Sequence, residues 1–355
     1  MMEKMFSAVP SVKEISASDL NEAYVLLRAD LDLPIVEGRI ADDFRLRALI
    51  PTLEYLYQTR SRIILLGHRG RPGGKTNLSL TLAPVIKHLK TLLPQISFWQ
   101  NIDSWQAKDL EEGRKNLPPQ GILVYPNLRF HPGEESNDPQ FAALLAQGGN
   151  FYINESFATS HRAHASLVGL PRLLPGALGL RWKKELEILK EVREKPARPL
   201  IFIVGGAKKS KLDFVKNISS RADQILLGGK LAFAQELEGV PKVRFPVDAR
   251  RIDDIGPRSE KLFQQYLQKA ALVVWAGPLG RWEEEKFRQG TAAIARFLLQ
   301  NKIKTIVGGG DTLAALKTLG LREQFYFCST GGGAMLEYLA HGDLVALAAL
   351  RAKKK

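Results

Sequence analysis

A single cysteine, Cys328, stands among 355 residues. One thiol forms no internal disulfide, which excludes a disulfide-stapled fold and leads us to expect a cytoplasmic location. No apolar run approaches the ~20 residues that cross a bilayer, so no membrane association is expected. Met1–Pro10 has no basic region followed by an apolar core, so no secretion signal is expected. No fixed-period repeat is found, and the only low-complexity run is the basic tail Arg351–Lys355. Two nucleotide-binding signatures are missing. The nearest counterpart to a P-loop, Arg69–Thr76, begins on arginine instead of glycine, and no G-x-G-x-x-G follows a strand. His161 and His164 lie three residues apart with no third ligand nearby, so a metal centre is not expected there.

What is present has the profile of a globular protein, with 45% hydrophobic and 25% charged residues. The length suggests two domains. Residues 1–180 carry 19 Lys+Arg against 18 Asp+Glu, and residues 181–355 carry 32 against 19, so almost all of the +14 net charge lies in the second half. That half attracts anions, either nucleic acid or a polyphosphate ligand. Its basic residues are interspersed with acidic ones, which speaks against nucleic acid. A merely solubilising surface is the plainer alternative.

Short apolar runs alternate with amphipathic stretches. Strands are expected at Ala23–Leu27, Arg62–Leu66, Gly121–Tyr125, Phe151–Asn154, Leu200–Val204, Gln224–Leu227, Leu272–Trp275, Lys304–Val307 and Gln324–Cys328. Helices are expected at Asp43–Leu56, Leu82–Leu92, Pro139–Ala146 and Glu284–Leu299. Runs without in/out alternation are typical of parallel strands covered on both faces. The pattern predicts an α/β fold with two parallel sheets. The divide falls near Pro171–Gly179. Arg181–Glu194, with Trp182, Leu186, Leu189 and Val192 at helical spacing, then reads as a connector.

In the second half, glycine clusters follow the strands: Gly205-Gly206-Ala207-Lys208, Gly228-Gly229-Lys230, Gly308-Gly309-Gly310-Asp311-Thr312 and Ser329-Thr330-Gly331-Gly332-Gly333-Ala334. Any one of them reads as a tight turn. Four at the carboxyl edge of one sheet, with lysines, predict a phosphate-binding crevice. Asp311 could hold Mg²⁺ on a nucleotide or cap a helix, and Thr312 could bond a phosphate oxygen. In the first half, Arg28, Asp30, Asp32, Arg45, His68, Arg69, Arg71, Arg129 and Arg162 gather at strand ends and loops, suggesting a small anionic substrate. For any one arginine a surface salt bridge is the plainer reading.

Over nearly its whole length the chain resembles phosphoglycerate kinases. The stretches that carry the resemblance are Arg28-Ala-Asp-Leu-Asp-Leu-Pro34, Ala41–Arg45, Gly67–Pro72, Asn127–Glu135, His161–His164, Gly205–Lys208, Trp275–Pro278, Gly308–Thr312 and Ser329–Ala334. The resemblance implies two Rossmann-like α/β/α domains. Residues 1–180 would bind 3-phosphoglycerate, 181–195 form a hinge helix and 196–340 bind nucleotide. Residues 341–355 would pack back on the first domain. It also implies reversible phosphoryl transfer between ATP and 3-phosphoglycerate with Mg²⁺, by a monomer, through closure about the hinge. On the substrate side it assigns Asp30, Asp32, Arg45, His68, Arg69, Gly70, Arg71, Arg129 and Arg162. On the nucleotide side it assigns Gly205, Gly206, Lys208, Lys211, Gly228, Gly229, Pro278, Glu283, Gly309, Gly310, Asp311, Thr312, Gly331, Gly332 and Gly333. Arg45, Lys208 and Lys211 would serve transfer itself, and Asp311 the metal.

The chain departs from the family at several points. Asp32 replaces an asparagine, Pro126 a glutamate, Lys230 a glycine and Ala276 an asparagine. The loop after Lys208 is one residue short. Only about twenty residues join Phe233 to Asp254, with Phe245–Asp248 as the expected remnant of a strand. Two readings follow: a compact working kinase, or a relative that binds ligands without efficient transfer. Retention of Arg45, Lys208, Glu283, Asp311 and Thr312 favours the first.

Overall fold

The computed structural model describes residues 9–206, 210–249 and 253–352. Its contacts divide into two units, one of residues up to 187 together with those from 343 onward, the other of residues 188–342.

In the first unit, β1 (Tyr24–Arg28), β2 (Arg62–Leu66), β3 (Trp99–Asn101), β4 (Ile122–Val124), β5 (Phe151–Asn154) and β6 (Gly176–Leu178) form one parallel sheet in the order β3-β4-β2-β1-β5-β6. β1 and β2 are buried along almost their whole length because helices cover both faces of the sheet. One face packs Val25, Leu27, Ile63 and Leu65 against Leu46, Leu49 and Leu53 of α1 (Phe44–Gln58) and Val85 and Leu89 of α2 (Ala83–Leu92). α3 (Ala107–Lys115) and α4 (Pro139–Ala146) complete the unit before the chain enters α5 (Leu180–Glu194).

The second unit repeats the scheme. β7 (Leu200–Val204), β8 (Gln224–Leu227), β9 (Val243–Arg244), β10 (Leu272–Ala276), β11 (Thr305–Gly308) and β12 (Phe327–Cys328) pair in parallel in the order β9-β8-β7-β10-β11-β12. Its helices are α6 (Ser210–Ile218), α7 (Pro257–Leu267), α8 (Gln289–Gln300), α9 (Gly310–Thr318) and α10 (Gly332–His341). The last helix, α11 (Val345–Arg351), returns to the first unit. There Ala346 and Ala349 bury against Leu167 and Val168, and the Ala346 N–H donates to Ser160 O at 3.2 Å. No single described helix is long and apolar enough to cross a membrane.

The α/β class and all nine expected strands are found, most within a residue of the expected ends. Gly176–Leu178, inside the expected divide, is an edge strand. The strand expected at Phe245–Asp248 lies instead at Val243–Arg244. The helix expected over Glu284–Leu299 is a 3₁₀ turn, Glu285–Phe287, followed by α8.

The start of α5 is fixed by a distant residue. Gly179 precedes it and carries no side chain, and a Cβ there would lie 2.1 Å from Glu155 Oε2. Glu155, just after β5, fills that place. Its carboxylate receives the Arg181 N–H at 2.9 Å, the Trp182 N–H at 3.0 Å and the Thr52 hydroxyl, while Thr52 Oγ1 receives the Leu180 N–H at 2.9 Å. Amides of the first helical turn, which have no partner inside the helix, are thereby satisfied. Burial pushes the Glu155 carboxyl up to about 7, against the opposing effect of these donors.

A group raised on folding holds its proton more tightly in the folded state. Its stabilising contribution is therefore complete below the ordinary 4.5 and is lost as pH rises through about 7. Denaturant titrations at pH 5 to 8 should show wild type losing stability relative to Glu155→Gln, by up to about 1.4 kcal/mol per pH unit. The paired comparison cancels Asp254, whose carboxyl burial raises to about 6. A pH-independent difference would rule out titration of Glu155 in this window.

Candidate active site

In the first unit, the loops at the carboxyl ends of β1, β2, β4 and β5 converge around a fully buried arginine. Arg28 ends β1, so its side chain emerges at the sheet edge where ligands of such folds bind. Its Nε donates to Ser166 Oγ at 3.0 Å, Nη1 to Ser156 Oγ at 3.2 Å and Nη2 to His68 Nδ1 at 3.1 Å. Ser156 donates to Asp30, whose other oxygen takes the Ala158 N–H at 2.9 Å. Ser166 donates through Oγ at 2.6 Å and through N at 3.0 Å to the buried Glu134. Burial raises the Glu134 carboxyl, opposed by Arg28 and Ser166. A buried guanidinium needs countercharge and acceptors, and this network supplies both.

A guanidinium only donates, so His68 accepts on Nδ1 and carries its proton on Nε2. Burial, then Arg28 and Arg129, hold His68 well below its usual 6.5. The same causes hold His164 down to about 3. Both rings are neutral donors among cations. His68 Nε2 stands 3.8 Å from Asp32 Oδ2, too far for a hydrogen bond. Asp32 Oδ1 receives the Gly70 N–H at 2.9 Å, and Arg45 Nη1 donates to Asp32 O at 2.9 Å. Arg129 is buried; Nη1 donates to Gly70 O at 2.7 Å and Nε faces Glu135 at 3.1 Å. Its Nη2 is buried with no hydrogen-bond partner among the described residues. A buried, unsatisfied guanidinium N–H is a site for an anion.

Asp32, His68, Gly70, Arg129 and, through charge, Arg162 are thus brought together. Arg71 is exposed nearby in sequence. Arg69 Nη1 donates to Ser79 O at 2.7 Å and Thr81 O at 3.2 Å, which fastens a loop. Ser156, Ser166 and Glu134 are the residues that sequence reasoning did not assign to the site, and Arg28, counted among its basic groups, was not singled out as the buried centre. The available signal was an arginine closing the apolar run Val25–Leu27.

In the second unit the glycine loops pack against one another. A Cβ on Gly205 would lie 2.1 Å from Pro278 O, one on Gly277 2.1 Å from Gly205 O, one on Gly229 2.7 Å from Gly206 N and one on Gly332 2.4 Å from Gly309 Cα. Hydrogen bonds join the same loops: Gly206 N to Pro278 O at 2.9 Å and Gly229 N to Leu279 O at 2.8 Å. Lys211 Nζ donates to Gly205 O at 2.6 Å and Ala276 O at 3.0 Å, so it ties two loops together. Thr312 is buried, and its Oγ1 accepts the Gly277 N–H at 2.7 Å.

These loops border a cavity of about 440 Å³ whose described lining is Gly206, Gly229, Lys230, Pro278, Gly280, Arg281, Trp282, Glu283, Glu284 and Asp311. Gly205, Gly228, Lys211, Gly309, Gly310, Thr312 and Gly331–Gly333 are not part of that lining. Lys208 lies outside the described residues. Among the described residues no three His, Cys, Asp or Glu side chains converge as a metal cage. Asp311, alone and exposed in the first turn of α9, suits a Mg²⁺ that takes its other ligands from phosphates and water.

A family model described as phosphoglycerate kinase matches residues 15–237 and 234–342. The chain is 35% identical to the phosphoglycerate kinase of Dictyoglomus turgidum, over 98% of this chain and 100% of that protein. It is 38% identical to that of Thermomicrobium roseum, over 94% and 97%. The first alignment runs over 398 positions, against 355 residues here, so the relative carries segments this chain lacks. Among solved structures, phosphoglycerate kinase from Coxiella burnetii superposes with a TM-score of 0.79 at 28% identity, covering 97% of this chain and 99% of that one. That from Pyrococcus horikoshii gives 0.82 at 28%, covering 94% and 98%. Two parallel α/β units, an arginine-lined edge on one and a glycine-lined edge on the other, together with these matches along nearly the full length, establish that the chain belongs to the phosphoglycerate kinase family.

Proposed function

We propose that the chain catalyses reversible phosphoryl transfer between ATP and the carboxylate of 3-phosphoglycerate, giving 1,3-bisphosphoglycerate and ADP. The observation that carries this reading is the buried cluster of Arg28, Arg129 and neutral His68, with Arg129 Nη2 left without an acceptor among the described residues. Such a cluster holds a small anion at fixed orientation in a site of low dielectric, where charge-assisted bonds are strong. The acceptor carboxylate is already ionised at neutral pH, so transfer needs no general base. What remains is alignment and neutralisation of the moving phosphoryl oxygens.

In this reading Arg129, Arg162 and Arg71 hold the substrate phosphate, and His68 donates through Nε2 toward the carboxylate end. Arg45, anchored on Asp32 O, supplies positive charge to the phosphoryl group in transit. In the second unit Glu283 takes the ribose hydroxyls. Lys208 and the amides of the glycine loops take phosphates, and Lys211 keeps two of those loops in register. Asp311 would hold Mg²⁺, which when bound offsets the charge of the phosphate oxygens. Direct transfer requires donor and acceptor to touch with water excluded, and α5 is the element at which the two units reorient. A monomer in the cytoplasm, acting on soluble metabolites, completes the proposal.

A coupled assay for ATP consumption tests the reading: turnover should depend strictly on added 3-phosphoglycerate, and tight nucleotide binding without turnover would refute it. Arg45→Ala should lower kcat by ~10²–10³-fold, the usual loss for one preorganised donor. An unchanged kcat would remove Arg45 from the transfer step. Asp32→Asn should lower KM for 3-phosphoglycerate by about 2- to 5-fold, because the amide oxygen still accepts the Gly70 N–H while a half-exposed negative charge disappears. A raised KM would instead mean that the charge itself orders the loop.

A further inference from the structure

We propose that Arg193 bolts together the two chain connections between the units, which makes it a positioning residue for the closure that transfer requires. The inference rests on the kinase reading and on reorientation about α5, both given above.

The chain passes between the units twice, at 187–188 inside α5 and at 342–343 between α10 and α11. Two independent links permit twist and slide as well as bending. Links fastened to each other at both ends permit bending alone, so the reacting groups return to one alignment at each closure.

In the second unit the fastening is Arg193, in the last turn of α5. Its Nη1 donates to Leu339 O at 2.8 Å and to Ala340 O at 3.0 Å, both in the last turn of α10. The Gly342 N–H donates to Tyr338 O at 2.7 Å. Three carbonyls that a helix end leaves without partners are thereby answered, two of them by a cation at the negative end of the helix dipole. Gly342, the last residue before the chain crosses back, admits this contact. Its φ is +81°, and a Cβ there would lie 2.4 Å from Arg193 Nε. The guanidinium therefore rests on bare backbone at the crossing itself.

The end of α5 is also held to its own sheet. Arg221, in the turn before β8, donates through Nη1 to Arg193 O at 3.3 Å. Lys304, just before β11, donates to Glu191 Oε1 at 3.1 Å. Leu189 and Val192 are buried between these contacts. Arg193 is thus set in a fixed helix end and reaches from one connection to the other.

The first unit has a counterpart. Ser160 Oγ accepts the Nε1–H of the buried Trp182 at 2.8 Å, near the start of α5. Ser160 O accepts the Ala346 N–H at 3.2 Å, at the start of α11. One residue therefore holds both connections there, as Arg193 does in the second unit. The lengths left to bend are the middle of α5 and residues 343–345.

The test compares full-length wild type with Arg193→Met, which keeps the apolar stem and removes the donors, and Arg193→Lys, whose ammonium still donates to carbonyls. Arg193→Met should lower kcat about 5- to 20-fold, inside the ~10²-fold cost of an ångström of misplacement. Kd for ADP and Kd for 3-phosphoglycerate, each measured alone by calorimetry, should stay within about twofold, because neither ligand alone requires closure. Arg193→Lys should recover most of the lost kcat. A residue that only capped α10 would lower the melting temperature and leave kcat of the folded enzyme unchanged. Unchanged kcat in Arg193→Met, or an equal loss in Arg193→Lys, therefore overturns the proposal. A parallel loss of ADP affinity overturns it as well, since the end of α10 would then be supporting the nucleotide loops. Amide hydrogen exchange of the ligand-free protein gives a readout independent of turnover. In Arg193→Met exchange should rise both in 189–194 and in 338–344, and a rise confined to one of them overturns the bolt. If no wild-type turnover depends on 3-phosphoglycerate, the kinase reading fails by itself, while the exchange measurement still decides whether Arg193 joins the connections.

Discussion

One buried cation organises the first unit. Arg28 is fully enclosed, and a guanidinium out of water is tolerated only when its donors are matched and its charge is answered. Besides the neighbouring Ala29 carbonyl, each partner it finds belongs to a different segment: His68 follows β2, Ser156 follows β5, and Ser166 stands before α5 and carries the link to Glu134. Satisfying one side chain therefore fixes three loops against each other. It also sets the tautomer of His68 and, with Arg129 and burial, its neutrality. The site's preorganisation is a consequence of solvating Arg28 with protein groups, which need not rearrange when an anion arrives.

The second unit solves the same problem with backbone. Its loops lie so close that side chains at Gly205, Gly229, Gly277 and Gly332 would overlap neighbouring main chain. Lys211 plays a part like that of Arg28, since its ammonium gathers the Gly205 and Ala276 carbonyls. Thr312 adds a third tie through the Gly277 N–H. Residues whose types suggest phosphate contact are here spent on holding the glycine loops together. Composition alone does not distinguish the two uses, because a lysine that holds carbonyls and one that holds phosphates need the same ammonium.

The strands were legible because their burial on both faces removes polar residues from the run, as in Leu200–Val204 and Arg62–Leu66, whose limits match the expected ones. The two edge strands of the first unit were not. Trp99–Asn101 and Gly176–Leu178 are three residues each, and the first is only partly buried, so neither leaves a pattern. One helix start failed for a different reason. α8 was expected from Glu284, yet it begins at Gln289, where Asp254 Oδ2 receives the Gly290 N–H at 2.9 Å. Asp254 lies 36 residues away in sequence. A cap supplied by tertiary structure has no local signature, so that boundary is invisible to periodicity; at α5, capped by Glu155 and Thr52, the expected Arg181 still falls one residue from the observed Leu180. The same limit applies to the site. The arginines and glycines could be named, but which face a ligand and which hold a loop depends on long-range contacts such as that of Arg69 with Ser79 and Thr81.

The departures from the family sort by whether backbone or side chain does the work. At Ala276 the carbonyl serves, accepting both the Gly205 N–H at 3.1 Å and Lys211 Nζ at 3.0 Å, so a change of side chain leaves the joint intact. Pro126 sits one residue before Asn127, whose side chain makes the local contacts by donating to Arg69 O and Leu80 O at 2.7 and 2.9 Å. Asp32 and Lys230 differ in kind, because each adds a formal charge at the carboxyl edge of its own sheet, one negative and one positive. Charge changes act on ligands over several ångströms without moving the fold, whereas a change at Arg28 or Gly205 acts through the fold first. Sequence drift that preserves the loop-forming ties while placing new charges at the edges alters affinity and selectivity before it alters the transfer chemistry.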